Sequence, residues 1–152
     1  MQPGFVLSWE LFGDLCRVLA LRVAHEYDPE VVMGIATAGV IPGAVLAAIL
    51  NREFHSIVVS RRFRSETIRE SPAVLSAAPP DIRGKRVLVV DETCDSGDTI
   101  RLAVAAVKNA NAKEVRTAVA FRTGSYKADF HGLAPQSTII LAGSTDQMRG
   151  RA

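Results

Sequence analysis

Cysteine is almost absent from this 152-residue chain. Cys16 and Cys94 stand far apart with no metal-ligand spacing, which excludes a disulfide scaffold or a cysteine zinc site and points to a reducing compartment. Aromatic residues make up only 6%, so the core has to be built from Val, Leu, Ile and Ala. A surplus of one charge is missing too. The net charge of +2 is too small to argue for nucleic acid or a membrane surface as partner, although it permits a local anion site. Every apolar run is broken by Gly, Pro or charge short of membrane length. The N-terminus lacks a basic stretch followed by an apolar one, so no signal peptide is expected, and the reading is cytoplasmic. His25, His55 and His131 have no metal spacing. Neither the GxxxxGK[ST] nor the GxGxxG phosphate motif is present.

What the chain does have is an apolar fraction of 48% with 22% charged residues, the balance of one globular domain with its own core. Residues 8 to 26 carry a helical period, with Phe12, Leu15, Cys16, Leu19 and Val23 on one face and Ser8 placed to cap the first turn. "VVMGIA" (31–36) suits a buried strand. "TAG" follows, then "VIPGAVLAAIL", a helix apolar nearly all round with Pro42 in its first turn. "FHSIVVS" (54–60) is a second strand. Residues 61 to 85, "RRFRSETIRESPAVLSAAPPDIRGK", fit no element, and connections this long are usually functional or mobile. Strand 86–90 follows, then a helix with Ile100, Ala103, Val104 and Val107 in period, strand 115–121, a polar connection, and strand 138–142. Strands alternating with helices predict an α/β fold: a mainly parallel central sheet covered on both faces.

The chemistry concentrates in "VLVVDETCDSGDT" (87–99). A buried strand runs into two carboxylates, Asp91 and Glu92, and then into a small-residue loop opening a helix. In parallel sheets ligands bind beyond the carboxyl ends of the strands. A loop of this kind at a helix N-terminus aims backbone N–H groups and the helix dipole at one point, a phosphate cradle. Ser96 and Thr99 add hydroxyls, and Gly97 lets the backbone approach. Carboxylates accept hydrogen bonds from vicinal hydroxyls and their hard oxygens suit Mg²⁺. The combination describes a ribose 5-phosphate site. Cys94 reads as a filler, lacking the neighbours of a nucleophile.

These residues resemble the phosphoribosyl pyrophosphate (PRPP) signature of type I phosphoribosyltransferases, with Glu92 and Ser96 where Asp and Thr are commoner. "SWELFGDLCRVLALRV" and "GIATAGVIPGAVLA" are similar to the opening of the short bacterial and archaeal purine enzymes; "ATAG" also resembles orotate phosphoribosyltransferases. The resemblance implies a single phosphoribosyltransferase domain over residues 1–152, with a small hood formed by the N-terminal and 122–152 segments. It implies transfer of the 5-phosphoribosyl group from PRPP to a purine base, most simply a 6-oxopurine, giving a nucleoside monophosphate and pyrophosphate with Mg²⁺ as cofactor. By position, Asp95, Ser96, Gly97, Asp98 and Thr99 would hold the 5′-phosphate, and Asp95 would also take the catalytic proton. Asp91 and Glu92 would hold the ribose and the metal. Ala36, Thr37, Ala38 and Gly39 would hold pyrophosphate. Arg61, Arg62 and Arg64 fall in a lid at 61–80. Arg122 would contact the base, in place of a commoner Lys. "TIILAGSTDQ" carries no aromatic where relatives stack one on the base; Tyr126 and Phe130 are the nearby substitutes, and Tyr126 also reads as a packing residue. Relatives are commonly dimers or tetramers, which implies a homodimer or homotetramer here. Orotate or adenine as the base, or a non-catalytic PRPP- or nucleotide-sensing regulator, are the alternatives.

Overall fold

The computed structural model describes residues 5–60, 62–63, 66–67, 73–74, 80–133 and 139–141. In chain order the elements are β1 (Phe5–Leu7), α1 (Trp9–Glu26), β2 (Val31–Ala36), α2 (Val40–Leu50), β3 (Glu53–Ser60), β4 (Arg62–Phe63), β5 (Glu66–Thr67), β6 (Ala73–Val74), a 3₁₀ turn (Pro80–Ile82), β7 (Arg86–Cys94), α3 (Asp98–Asn109), β8 (Glu114–Arg122), β9 (Phe130–Leu133) and β10 (Ile139–Leu141). Six strands form the main sheet in the order β6-β3-β2-β7-β8-β9. All its neighbouring pairs are parallel except β3–β6, which is antiparallel at the edge.

Strand alternation explains why both faces are covered. On β7, Leu88 and Val90 pack with the buried face of α1 (Phe12, Leu15, Cys16, Leu19, Val23), and Ala118 and Ala120 of β8 join them. The alternate residues Val87 and Val89, with Met33 and Ile35 of β2, face Ile100, Ala103 and Val107 of α3. The expected face of α1 is therefore the buried one, and Ser8 caps it: its hydroxyl accepts from the Leu11 N–H at 3.1 Å.

Three elements depart from the sequence-based expectation. The strand expected at 86–90 runs on to Cys94, because β8 keeps pairing with it beyond the apolar run (Asp91 with Val119, Thr93 with Phe121, Cys94 with Arg122). The polar connection after β8 holds a further parallel strand, β9, with Val119 opposite His131. The 61–80 segment includes a two-residue hairpin, Arg62 opposite Thr67, and the edge strand β6. The strand expected at 138–142 is present as β10. It lies outside the main sheet and pairs in parallel with β1. Among the described residues, no helix is long and apolar enough to cross a membrane.

Chain direction reverses across the sheet between β2 and β7. From β2 the chain moves outward to β3; it returns to β7 on β2's other side and then moves outward to β8 and β9. That boundary is the topological switch point, where a crevice opens beyond the carboxyl ends of the strands.

Candidate phosphate and carboxylate site at the switch point

Both sequence motifs arrive at this boundary. β2 pairs with β7 only as far as Gly34 and Val90, so past Val90 the β7 backbone has β8 alone as neighbour. The space thus vacated receives the 36–39 loop. Gly39 is buried so tightly that a Cβ would lie 2.6 Å from the carbonyl oxygens of Ile35 and Val90 and 3.0 Å from the Asp91 Cα. Thr37 and Ala38 are exposed beside it. The Ala36–Thr37 peptide is cis. Through Gly39 this loop therefore touches the carboxylate strand directly.

Asp91 and Glu92 sit within the strand and not in the loop, and alternation sends their side chains to opposite faces. Asp91 continues the Val87–Val89 face toward α3. Burial pushes its carboxyl up from 3.8 to about 6; the Glu92 N–H, donating to its Oδ1 at 2.8 Å, opposes this, and the Glu92 charge adds to it. Burial raises Glu92 as well. Neither carboxylate has an ion-pair partner among the described residues. Each is a partly desolvated carboxylate without a cation to balance it, Asp91 on the α3 face of the sheet and Glu92 on the other.

The loop after β7 encloses a cavity of about 240 Å³ lined by Asp91, Thr93, Cys94, Asp95, Ser96, Gly97, Asp98, Thr99 and Ile100. Gly97 is the N-cap of α3 at φ +89°, a conformation that side chains rarely adopt, and it has no side chain with which to cap the helix. Of the first-turn N–H groups, that of Asp98 donates to the Ser96 hydroxyl at 3.4 Å, and, among the described residues, those of Thr99 and Ile100 are left for another partner. All five residues expected to hold a 5′-phosphate line this cavity. Cys94 lies on its wall with its thiol raised by burial to about 11, which keeps it protonated and supports the reading as a filler.

Arg122 ends β8, directly beside Cys94. It has no hydrogen-bond or ion-pair partner among the described residues. Arg61 and Arg64 lie outside the described residues, and of Arg62 only the backbone, in β4, is described. Sequence reasoning did not connect the 123–126 segment to the loop. The Thr123 N–H and hydroxyl both donate to the Cys94 carbonyl at 3.3 Å, and the Tyr126 N–H donates to the Asp95 carbonyl at 3.3 Å. Gly124 lies against Asp95, and the Tyr126 ring covers Gly97. Tyr126 is a packing residue, as one of its two readings had it. The signal available in the sequence was Gly124, a residue without bulk just past a strand end.

A second cluster lies elsewhere: Glu53, His55 and Asp81, with ligand atoms within 4.8 Å of one another. Glu53 is held there by His55 at 3.1 Å and Lys85 at 3.3 Å, which lower its pKa. Its charge is already balanced.

A family model described as the phosphoribosyl transferase domain matches residues 6–133. The chain belongs to the phosphoribosyltransferase family. It is 28% identical over 101 residues to a xanthine-guanine phosphoribosyltransferase of Vibrio parahaemolyticus, an overlap of 66% of this chain and 64% of that protein. It thus matches a little under two thirds of the length of such relatives. It is 33% identical over 109 residues to the transcriptional regulator GfcR of Archaeoglobus fulgidus, covering 68% of this chain and 55% of the regulator. Among solved structures, a purine phosphoribosyltransferase from Pyrococcus horikoshii superposes with a TM-score of 0.80 at 27% identity, covering 93% of both chains. The architecture is the type I phosphoribosyltransferase fold.

Proposed function

We propose that this phosphoribosyltransferase-family protein transfers the 5-phosphoribosyl group from PRPP to a purine base, with release of pyrophosphate. One observation carries the reading: two small-residue loops, 36–39 and 95–99, lie at the switch point beside the half-buried carboxylate of Asp91. Two small-residue loops about a hydroxyl acceptor would suit a diphosphate and a 5′-phosphate on one ribose. The family membership and the purine enzymes among the relatives support it.

In this reading the amides at the start of α3, with the Ser96 and Thr99 hydroxyls, bind the 5′-phosphate. Asp91, which lines the cavity, accepts from the ribose hydroxyls. The 36–39 loop binds the leaving diphosphate. As the C1′ bond to pyrophosphate breaks, charge moves onto the diphosphate, and groups fixed in advance around it lower the barrier. Asp95 accepts the proton lost by the attacking base nitrogen. Arg122 donates to an oxygen of a 6-oxopurine. Arg61, Arg62 and Arg64 close over the diphosphate as part of the 61–80 lid and exclude water from the cationic centre. The β1–β10 pair is the core of the hood.

Mg²⁺ fits the donor set. Asp91, which lines the cavity, offers hard carboxylate oxygens with uncompensated charge, and one protein ligand suits an ion that keeps waters and substrate phosphates in its shell; Glu92, on the opposite face of the strand, does not line that cavity. When bound, Mg²⁺ would neutralise charge on the diphosphate.

The test is pyrophosphate release from Mg²⁺ and PRPP with hypoxanthine, guanine, xanthine, adenine, orotate and uracil supplied separately. Release that depends on a purine, with the matching monophosphate formed, is expected. Release with orotate alone would refute the purine assignment. A second reading, a nucleotide-sensing regulator, is favoured by the 33% identity to GfcR. Binding of PRPP or nucleotide without turnover for any base would establish it.

A further inference from the structure

The 95–98 loop is anchored through its carbonyls. Three consecutive ones are tied: Cys94 by Thr123 (N–H and hydroxyl, both 3.3 Å), Asp95 by the Tyr126 N–H (3.3 Å) and Ser96 by an Arg101 guanidinium N–H (2.9 Å). In a trans peptide, the C=O of one residue and the N–H of the next point in opposite directions. Among the described residues the single cis peptide is Ala36–Thr37, so these links are trans. Tying the three carbonyls therefore turns the N–H groups of Asp95, Ser96 and Gly97 away from the anchors.

Tyr126 and Arg101 also brace each other. The Tyr126 ring packs on Gly97, where a side chain would collide with it, and the Arg101 guanidinium lies 5.0 Å from the ring centroid. The ring thus supports the residue that holds φ +89° at the helix start, and Arg101 spans the ring and the loop.

We infer that Tyr126, with Arg101, is a positioning residue that fixes the N–H groups of Asp95, Ser96 and Gly97 in the direction a bound phosphate requires. This rests on the reading of the loop as the 5′-phosphate cradle. Neither side chain needs to touch substrate. The ring acts by shape, so the hydroxyl is dispensable and Phe suffices in its place.

The experiment compares wild type, Tyr126→Ala, Tyr126→Phe and Arg101→Met in steady-state kinetics with PRPP, and in calorimetric binding of ribose 5-phosphate, alongside melting curves. Misaligning one hydrogen bond to a charged group corresponds to roughly a 10- to 100-fold loss of affinity. Tyr126→Ala is expected to raise the KM for PRPP and the Kd for ribose 5-phosphate by that factor, with kcat little changed. Tyr126→Phe restores both, and Arg101→Met moves both in the same direction by less. A folded Tyr126→Ala with wild-type KM and Kd overturns the inference. So does a fall in kcat with unchanged KM, or a failure of Phe to rescue. Should Tyr126→Ala not fold, Arg101→Met, which alters an exposed side chain, decides alone: unchanged KM and Kd overturn the proposal. Wild-type protein that binds neither PRPP nor ribose 5-phosphate would overturn the cradle reading itself, an outcome separate from the variants' behaviour.

Discussion

Asp91→Asn separates what the carboxylate does for function from what it costs the fold. The Asp91 carboxyl is held at about 6 against an ordinary 3.8, chiefly by burial. At about 1.4 kcal/mol per pH unit, keeping it ionised in the folded protein costs about 3 kcal/mol at pH 8. The sign follows from linkage. Between pH 3.8 and 6 the folded chain holds a proton that the unfolded chain has released, so stability falls as pH rises through that window. Above it the full cost is present; below it there is none. Asn has no charge to desolvate, and its Oδ1 still accepts from the Glu92 N–H, now at 2.8 Å from the Asp oxygen. The variant should therefore be more stable than wild type by about 2–3 kcal/mol at pH 8, with the gap closing toward pH 4. For a chain of this size that is roughly a 4–12 °C rise in Tm. Urea denaturation of both proteins at pH 8, 6 and 4, without PRPP or Mg²⁺, measures it. A variant no more stable at pH 8, or a gap that stays constant with pH, would refute the assignment of the shift to a desolvated Asp91. The same variant should lose PRPP affinity, since a stabilising substitution that removes binding is the signature of a group retained for function.

Gly39→Ala should abolish PRPP binding and lower stability, because the added methyl meets two fixed carbonyl oxygens at 2.6 Å; a folded variant with normal affinity in a PRPP titration would contradict the close packing of the 36–39 loop on β7. Ser8→Ala should cost about 1 kcal/mol in urea denaturation through loss of the α1 cap, with no change in kcat. Arg122→Met should raise the KM for the purine roughly tenfold and leave the KM for PRPP unchanged, consistent with the loss of one hydrogen bond to a neutral acceptor; a PRPP effect of equal size would remove Arg122 from the base site.

The parts of this fold legible in the sequence are those where a periodic apolar pattern and the final burial agree. α1 is of this kind, since Phe12, Leu15, Cys16, Leu19 and Val23 are all buried. So is the 95–97 loop, where the strand, the small residues and the helix period stand in contiguous order. Legibility ends where backbone pairing and apolar pattern separate. β7 continues through Asp91, Glu92 and Thr93 because β8 supplies hydrogen bonds to it, and no side-chain pattern reports that. β9 is four residues long and contains His131 and Gly132; it exists because Ala118, Val119 and Phe121 of β8 present an open edge beside it. The same limit hid the anchoring of the loop. Thr123, Gly124 and Tyr126 follow the loop by some thirty residues, and only the parallel pairing of Cys94 with Arg122 brings the two strand ends side by side. The residues proposed to hold the 5′-phosphate are local in sequence because one loop would have to surround one phosphate. The residues that anchor that loop come from the neighbouring strand end, and their position is set by the sheet order and not by the motif.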